Sequence, residues 1–396
     1  MFLTVFYLFI FFSFYTVQPS FAQPFAKQVI LSFHTCDASC TGFQDHQVNL
    51  AESDDGITWT PVPNFSPYQG SVPDVIIHGS KLYIYTPGKV NRYDNSSGSW
   101  DVNPVAVSIT DSAGNFVSYV DPSAVIDSTG RIVLFFLNST GSTGDPAGCS
   151  TYPCTKYFDS AVEVDGSDGT QFTLLDGHRK EITLNNSPQT ASDPDIYFDG
   201  NEYILYISQG SSSLAFHSTS MHGVYSSFPN LTNDLLTNQG GIPCGFFNED
   251  SWEYHTYVHS NVSGNTVIGH ATHTGFTGQL NTFTTVISGP IIGEPATTKT
   301  ESPGICRNEF IVGINPSEKP EPKLPVVRNG RKWLFYSPVN GISRIEIFDV
   351  MGRKLPNYPS VNSQFEIIRD GLNAGIYFYK LYSDKNLIHT GKIIVE

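Results

Sequence analysis

The sequence predicts an all-β protein: a five-bladed β-propeller followed by a small β-sandwich of the immunoglobulin-like kind. Three observations predict it. Short apolar and aromatic runs alternate with Gly, Asn, Asp and Ser turns, and no stretch keeps a helical period. A proline-headed hairpin pattern recurs five times. A polar, proline-rich break then separates this region from a shorter one of opposite charge.

Residues 1–22 read as a signal peptide. Met1 to Val17 is apolar and aromatic without a charge, a small-x-small site follows at Ser20-Phe21-Ala22, and the first lysine is Lys27. An uncleaved membrane anchor is the rival reading of the same run. The six cysteines suit an exported chain with disulfides. Spacing proposes Cys36–Cys40 and Cys149–Cys154, which leaves Cys244–Cys306; a zinc site built on the two close pairs is the alternative.

The repeat is read from Pro73, Pro122, Pro194, Pro243 and Pro303. In the first three copies the proline opens a strand (73–77, 122–126, 194–198), and a tight turn leads into a second strand (82–85, 132–136, 203–207). The copies at Pro243 and Pro303 are weaker. Intervals of 49, 72, 49 and 60 residues suit four-stranded blades. The fifth copy has little chain left after it. The segments 28–33, 46–52 and 58–62 read as strands that complete the last blade and remove the free sheet edges. The propeller is therefore expected over 23–314, a linker over 315–325 and a separate β domain over 326–396.

Charge divides along the same boundary. Residues 318–396 hold 12 Lys+Arg and 8 Asp+Glu, which leaves 10 of the chain's 22 basic residues and 29 of its 37 acidic residues for 1–317. A region of net −19 repels phosphate backbones, so nucleic acid is excluded as a partner, while neutral glycans remain compatible. A monomer is expected. No cofactor is required by any motif, and an axial Ca2+ held by Asp and water is compatible with the acidity.

The starts of propeller inner strands ring an axial funnel. Before the five prolines stand Val72, Asp121, Asp193, Ile242 and Ser302; after them stand Asp74, Ser123, Asp195, Cys244 and Gly304. Four carboxylates thus converge from three blades. Crowded like charges raise the pKa of at least one of them. Glycoside hydrolysis needs that split: one carboxylic acid protonates the leaving oxygen while a carboxylate activates water or attacks. Asp74 is read as base or nucleophile, Asp121 as the orienting carboxylate and Asp193 as the acid. Asp195, Arg92, His217, Trp252 and His270 are read as substrate-binding, and Glu163 as a reserve acid.

These residues carry a resemblance. Asp121-Pro122-Ser123-Ala124-Val125-Ile126-Asp127 resembles the second-blade acidic motif of the five-bladed glycosidases of glycoside hydrolase families 43 and 32. The resemblance implies a glycan or polysaccharide substrate. Val72 stands where those families place the base Asp, and Asp193 where they place the acid Glu. A non-catalytic propeller that binds glycans or a surface protein is the alternative. Ser53-Asp54-Asp55-Gly56-Ile57-Thr58-Trp59 matches the Asp-box turn of sialidases, with a partial copy at 166–172. A sialidase also needs three arginines on a carboxylate, and the large domain has only Arg92, Arg131, Arg179 and Arg307. In the last domain, 345–353, 372–377 and 391–395 resemble the type IX secretion C-terminal sorting domain. That resemblance implies passage across the outer membrane through the secretion machinery, to the medium or the cell surface.

Overall fold

The computed structural model describes residues 25–311, apart from 38, 41, 143 and 250, and the strand segments of 326–395. The expected signal peptide and linker lie outside the described residues. Among the described residues, helical structure is limited to the short 3-10 turns Phe43–Asp45, Thr232–Asp234 and Pro290–Ile292.

Five sheets form the blades, antiparallel except where Ser108–Thr110 pairs in parallel with Gln171–Leu174 in blade two. Their inner strands are Asp74–His78, Tyr119–Ile126, Ser192–Phe198, Gly241–Asn248 and Lys299–Arg307, numbered here as blades one to five. Each inner strand contacts the next, and the fifth contacts the first, so the ring is closed. In blade five, Lys299–Arg307 pairs with Val29–Cys36, which pairs with Gln47–Ser53 and through it with Thr60–Pro61. One sheet thus joins the two ends of the ring and leaves no open edge at the seam.

Alternation along each strand fills the gaps between blades. Leu137 and Phe158 of blade two meet Ile196, Leu205 and Phe216 of blade three. Ile30 and Leu50 of blade five meet Val75 and Ile84 of blade one. The Asp-box turn is structural. Asp55 Oδ1 accepts from the N–H groups of Ile57 and Thr58 at 2.8 and 2.7 Å, while Trp59 packs between blades four and five.

Cys36–Cys40 and Cys149–Cys154 are disulfides. The expected Cys244–Cys306 bond is not formed; both are free thiols. Side-chain alternation is the reason. Cys244 packs in the core between blades four and five, whereas Cys306 packs between blades five and one. The whole sheet of blade five separates them.

The C-terminal unit contains two antiparallel sheets. One holds Val326–Asn329, Lys332–Tyr336, Gln364–Ile368 and Ser360–Val361; the other holds Arg344–Asp349, Gly375–Ser383 and Asn386–Val395. In the second sheet Ile345, Ile347, Tyr377 and Tyr379 are buried, the alternation of a one-sided sheet.

Candidate functional site

All five prolines sit at one local device. In blades two to five the inner strand carries one extra residue against its neighbour, between Val120 and Ser123, Ser192 and Asp195, Gly241 and Cys244, and Glu301 and Gly304. Proline fits a bulge because it needs no ladder N–H. The residue before each proline is left-handed: Val72 (φ 47), Asp121 (φ 54), Asp193 (φ 48), Ile242 (φ 47) and Ser302 (φ 54). Such a φ is costly for β-branched Val72 and Ile242. Because they adopt it too, the bulge belongs to the blade architecture. What differs between blades is the side chain that the bulge presents.

The five prolines and the residues before them line a narrow axial pocket together with Asp74, Ser123 and Asp195. Its cavity volume is about 20 Å³, the space of about one water. Nothing larger than a water fits inside it, so any larger ligand would be met above it, at the mouth.

The residues after the prolines have a different task from those before them. Asp74 Oδ2 accepts from Ala124 N at 2.6 Å, Ser123 Oγ accepts from Ile196 N at 3.1 Å, and Asp195 Oδ2 accepts from Gly245 N at 2.9 Å. Each acceptor holds the inner strand of the next blade, two residues past its proline. Between blades five and one the residue after the proline is Gly304, which has no side chain to offer. A Cβ on Gly304 would stand 2.7 Å from Asp74 Cα and 2.8 Å from Pro73 O, so glycine is required there by close backbone approach. Ser32 Oγ donates to Pro73 O at 3.1 Å across that seam. Asp74 and Asp195 are buried, and burial pushes both carboxyls up, Asp74 to about 7. They staple blades together.

The mouth is built from the residues before the prolines and their cross-strand neighbours. Asp121 and Asp193 are half-buried side by side, with Asp193 N donating to Asp121 Oδ2 at 3.3 Å. Ser192 Oγ donates to Asp193 Oδ2 at 2.5 Å. Burial, then the charge of Asp193, raises Asp121 well above the usual carboxylate range. Burial raises Asp193 to about 6 against the opposing Ser192 hydrogen bond. Both carboxyls are thus raised by burial, and they titrate as a coupled pair.

Blade five adds Glu301, two residues before its proline, with its Oε2 3.4 Å from His34 Nε2. His34 Nδ1 accepts from Val72 N at 3.2 Å, which leaves the imidazole proton on Nε2, the nitrogen facing Glu301. His34 is only 2% exposed and stacks on His46 at 4.0 Å, and His46 Nδ1 bonds Ser71 Oγ at 2.8 Å. Burial works to raise Glu301, but His34, facing it at 3.4 Å, and the neighbouring imidazoles of His259 and His46 outweigh it and hold the carboxyl below its ordinary value. His259 lies opposite Gly241 in blade four, the register position that His34 holds opposite Glu301 in blade five. Its Nδ1 is buried without a protein partner.

Sequence reasoning missed Glu301, His34 and His259. The signal for Glu301 was one step away: reading the register two residues before each proline returns Ser71, Val120, Ser192, Gly241 and Glu301. The histidines sit on second strands and reach the mouth only through pairing.

Three of the five expected substrate-binding residues, Arg92, His217 and Trp252, stand toward the opposite, hairpin-turn ends of the blades, and His270 lies on a third strand, opposite Tyr257. Arg92, opposite Tyr83, is held by Asp101 Oδ2 at 2.7 Å and Asp168 Oδ2 at 2.8 Å. His217, opposite Ile204, bonds Glu202 Oε2 at 2.7 Å and stacks on Phe228. Trp252 occupies the hairpin turn of blade four, with φ 58. His270 is buried against His255, 3.0 Å between ring nitrogens. Asp195 alone lines the axial pocket. Glu163, the reserve acid, is a tie: its oxygens accept from Gly169 N at 2.7 Å and Ile132 N at 3.2 Å. The remaining arginines are also engaged away from the mouth. Arg131 pairs with Asp127, Arg179 donates to backbone carbonyls and Arg307 donates to Phe247 O. A three-arginine carboxylate grip is therefore not assembled.

Asp74 and Asp195 each give one carboxylate oxygen, Oδ2, to a backbone donor of the next blade. Among the described residues, Cys36, Cys40 and His46 are the group with ligand atoms within 4.8 Å of one another, and those two cysteines are disulfide-bonded.

Comparison with solved structures returns family 43 glycoside hydrolases at low similarity. One is a family 43 subfamily 1 enzyme from Xanthomonas citri complexed with xylose, at 16% identity and TM-score 0.42, covering 65% of this chain and 86% of that one. Another is the endo-arabinase of Bacteroides thetaiotaomicron, at 15% identity and TM-score 0.40, covering 59% and 88%. A third is the endo-arabinanase of Bacillus licheniformis, at 12% identity and TM-score 0.35, covering 81% and 91%. No curated protein matches the chain. Residues 334–396 match the secretion system C-terminal sorting domain. The protein is thus one exported across the outer membrane, to the medium or the cell surface.

Proposed function

We propose that the propeller cleaves glycans at the mouth of its axial funnel. Asp193 is the acid that protonates the leaving oxygen, Glu301 is the ionised carboxylate that activates water or attacks, and Asp121 holds and tunes Asp193. The observation that carries this reading is the opposed environment of the carboxyls. Burial keeps Asp193 protonated up to about pH 6, while His34 helps to keep Glu301 ionised below its ordinary value. Asp74, read from the sequence as base or nucleophile, leaves the reacting set because its oxygen holds Ala124 N. The sorting domain delivers the propeller to polysaccharide outside the cell.

The test is release of reducing sugar from a panel of neutral polysaccharides by the secreted propeller and by Glu301→Gln. Turnover by the native protein and its loss in the variant, with the melting temperature kept, supports the reading. Full turnover in the variant removes Glu301 from it.

A non-catalytic glycan-binding propeller is the second reading. It is favoured by Val72, which puts an isopropyl group at the blade-one bulge where a carboxylate would complete the ring. Saturable glycan binding without turnover on any substrate establishes it.

A further inference from the structure

We propose that the propeller carries a second carbohydrate-binding site at the hairpin-turn ends of blades two and three, which takes a neutral sugar unit by stacking it on the Phe198–Tyr203 pair. The inference deepens the glycan reading above but does not depend on cleavage.

The site is a concave space of about 230 Å³ lined by Asp127 and Ser128 of the blade-two turn, Tyr203 of blade three, and Thr219, Ser220 and His222 of the following loop. That volume exceeds the axial pocket tenfold and suits one sugar ring better than a larger ligand. Phe198 and Tyr203 are a cross-strand pair closing the blade-three hairpin, so both rings stand on one face. Their centroids are 4.8 Å apart. Phe198 is 48% exposed, which leaves an aromatic surface open to solvent beside the pocket. Aromatic rings pack against the apolar C–H face of a sugar while polar groups around them bond its hydroxyls.

Those polar groups are present and oriented. Asp127 is fixed by Thr129 N at 2.8 Å and Thr129 Oγ1 at 2.6 Å on Oδ1, and by Arg131 Nη2 at 3.3 Å on Oδ2. Ser128, Thr219 and Ser220 are exposed and supply hydroxyls that donate and accept. Burial, then the Arg179 charge, lowers His222, so its imidazole is neutral at pH 7 and offers one donor and one acceptor. Arg131 is paired with Asp127, and Arg179 turns its guanidinium to carbonyl oxygens. The lining therefore holds one ionised carboxylate and no unpaired cation, which suits a neutral sugar and disfavours a uronate or sialate.

The test is native affinity electrophoresis of the full exported chain in gels containing arabinoxylan, hydroxyethyl cellulose or polygalacturonate. Phe198→Ala removes the exposed ring and Ser128→Trp fills the space. The expected result is retardation by at least one neutral polysaccharide. Apparent affinity falls at least fivefold in Phe198→Ala and in Ser128→Trp, with melting temperatures unchanged. Retardation unchanged in both Phe198→Ala and Ser128→Trp overturns the site. So does retardation by polygalacturonate alone, or by none of the three. Retardation lost in Phe198→Ala from a protein that cleaves nothing supports this site while refuting the proposed cleavage.

Discussion

Replacing Asp74 separates a blade staple from a reacting carboxylate. Its Oδ2 accepts Ala124 N at 2.6 Å, and the residue is 7% exposed. Asp74→Ala leaves that buried N–H without a partner, which costs about 1–3 kcal/mol. For a domain of this size the melting temperature falls by roughly 2–4 °C per kcal/mol, so a drop of about 3–10 °C is expected by differential scanning calorimetry. Asp74→Asn keeps a carbonyl oxygen for Ala124 N and melts near the native protein. The pH dependence sharpens the test. Burial raises the folded carboxyl from 3.8 to about 7, so the native state binds the proton more tightly than the unfolded state does. That stabilisation is complete below about pH 4 and is lost as pH rises to 7. The native protein therefore loses stability relative to Asp74→Asn across that window, a difference the neutral amide cannot share. Equal melting of Asp74→Ala and native protein refutes the staple. A native protein that gains on Asp74→Asn as pH rises refutes the raised carboxyl.

Other outcomes follow from the same geometry. Gly304→Ala is expected to destabilise by about 1–3 kcal/mol, because its Cβ meets Asp74 and Pro73 backbone at 2.7–2.8 Å; chemical denaturation checks it. Cys244 and Cys306 are expected to titrate as two thiols with a thiol reagent in denaturant, Cys244 resisting it in the native state because it is fully buried, while Cys36–Cys40 and Cys149–Cys154 remain unreactive until reduced. The kcat/KM profile is expected to be bell-shaped. It falls above about pH 6 as Asp193 loses its proton and falls at acid pH only below the ordinary glutamate range, where Glu301 gains one.

The ring of blades was legible because each blade repeats one physical device, a proline at a bulge followed by an apolar strand and a tight turn. The secretion tail was legible because its motifs are contiguous. The site was legible only in part. Asp121 and Asp193 sit directly before their prolines and could be read from the register. Asp74 and Asp195 sit directly after theirs, and residue type alone does not tell a funnel carboxylate from one that accepts Ala124 N or Gly245 N of the next blade. His34 reaches Glu301 across 267 positions of sequence through blade closure, a contact that local patterning does not encode. Arg92, His217 and Trp252 were assigned by residue type, and strand direction puts them at the far end. Cys306 was paired with Cys244 by elimination, but one and three residues past a proline face the same way, so each thiol points to the seam with its own following blade.

The most direct measurement compares Asp193→Asn with the native propeller on two substrates of one sugar, a nitrophenyl glycoside whose leaving group needs little protonation and the natural polysaccharide, which needs it fully. The account predicts that kcat/KM on the polysaccharide falls about 10²–10⁴-fold and on the activated glycoside far less. An equal fall on both substrates, or none on either, would contradict Asp193 as the proton donor and with it the funnel mouth as the place of bond cleavage.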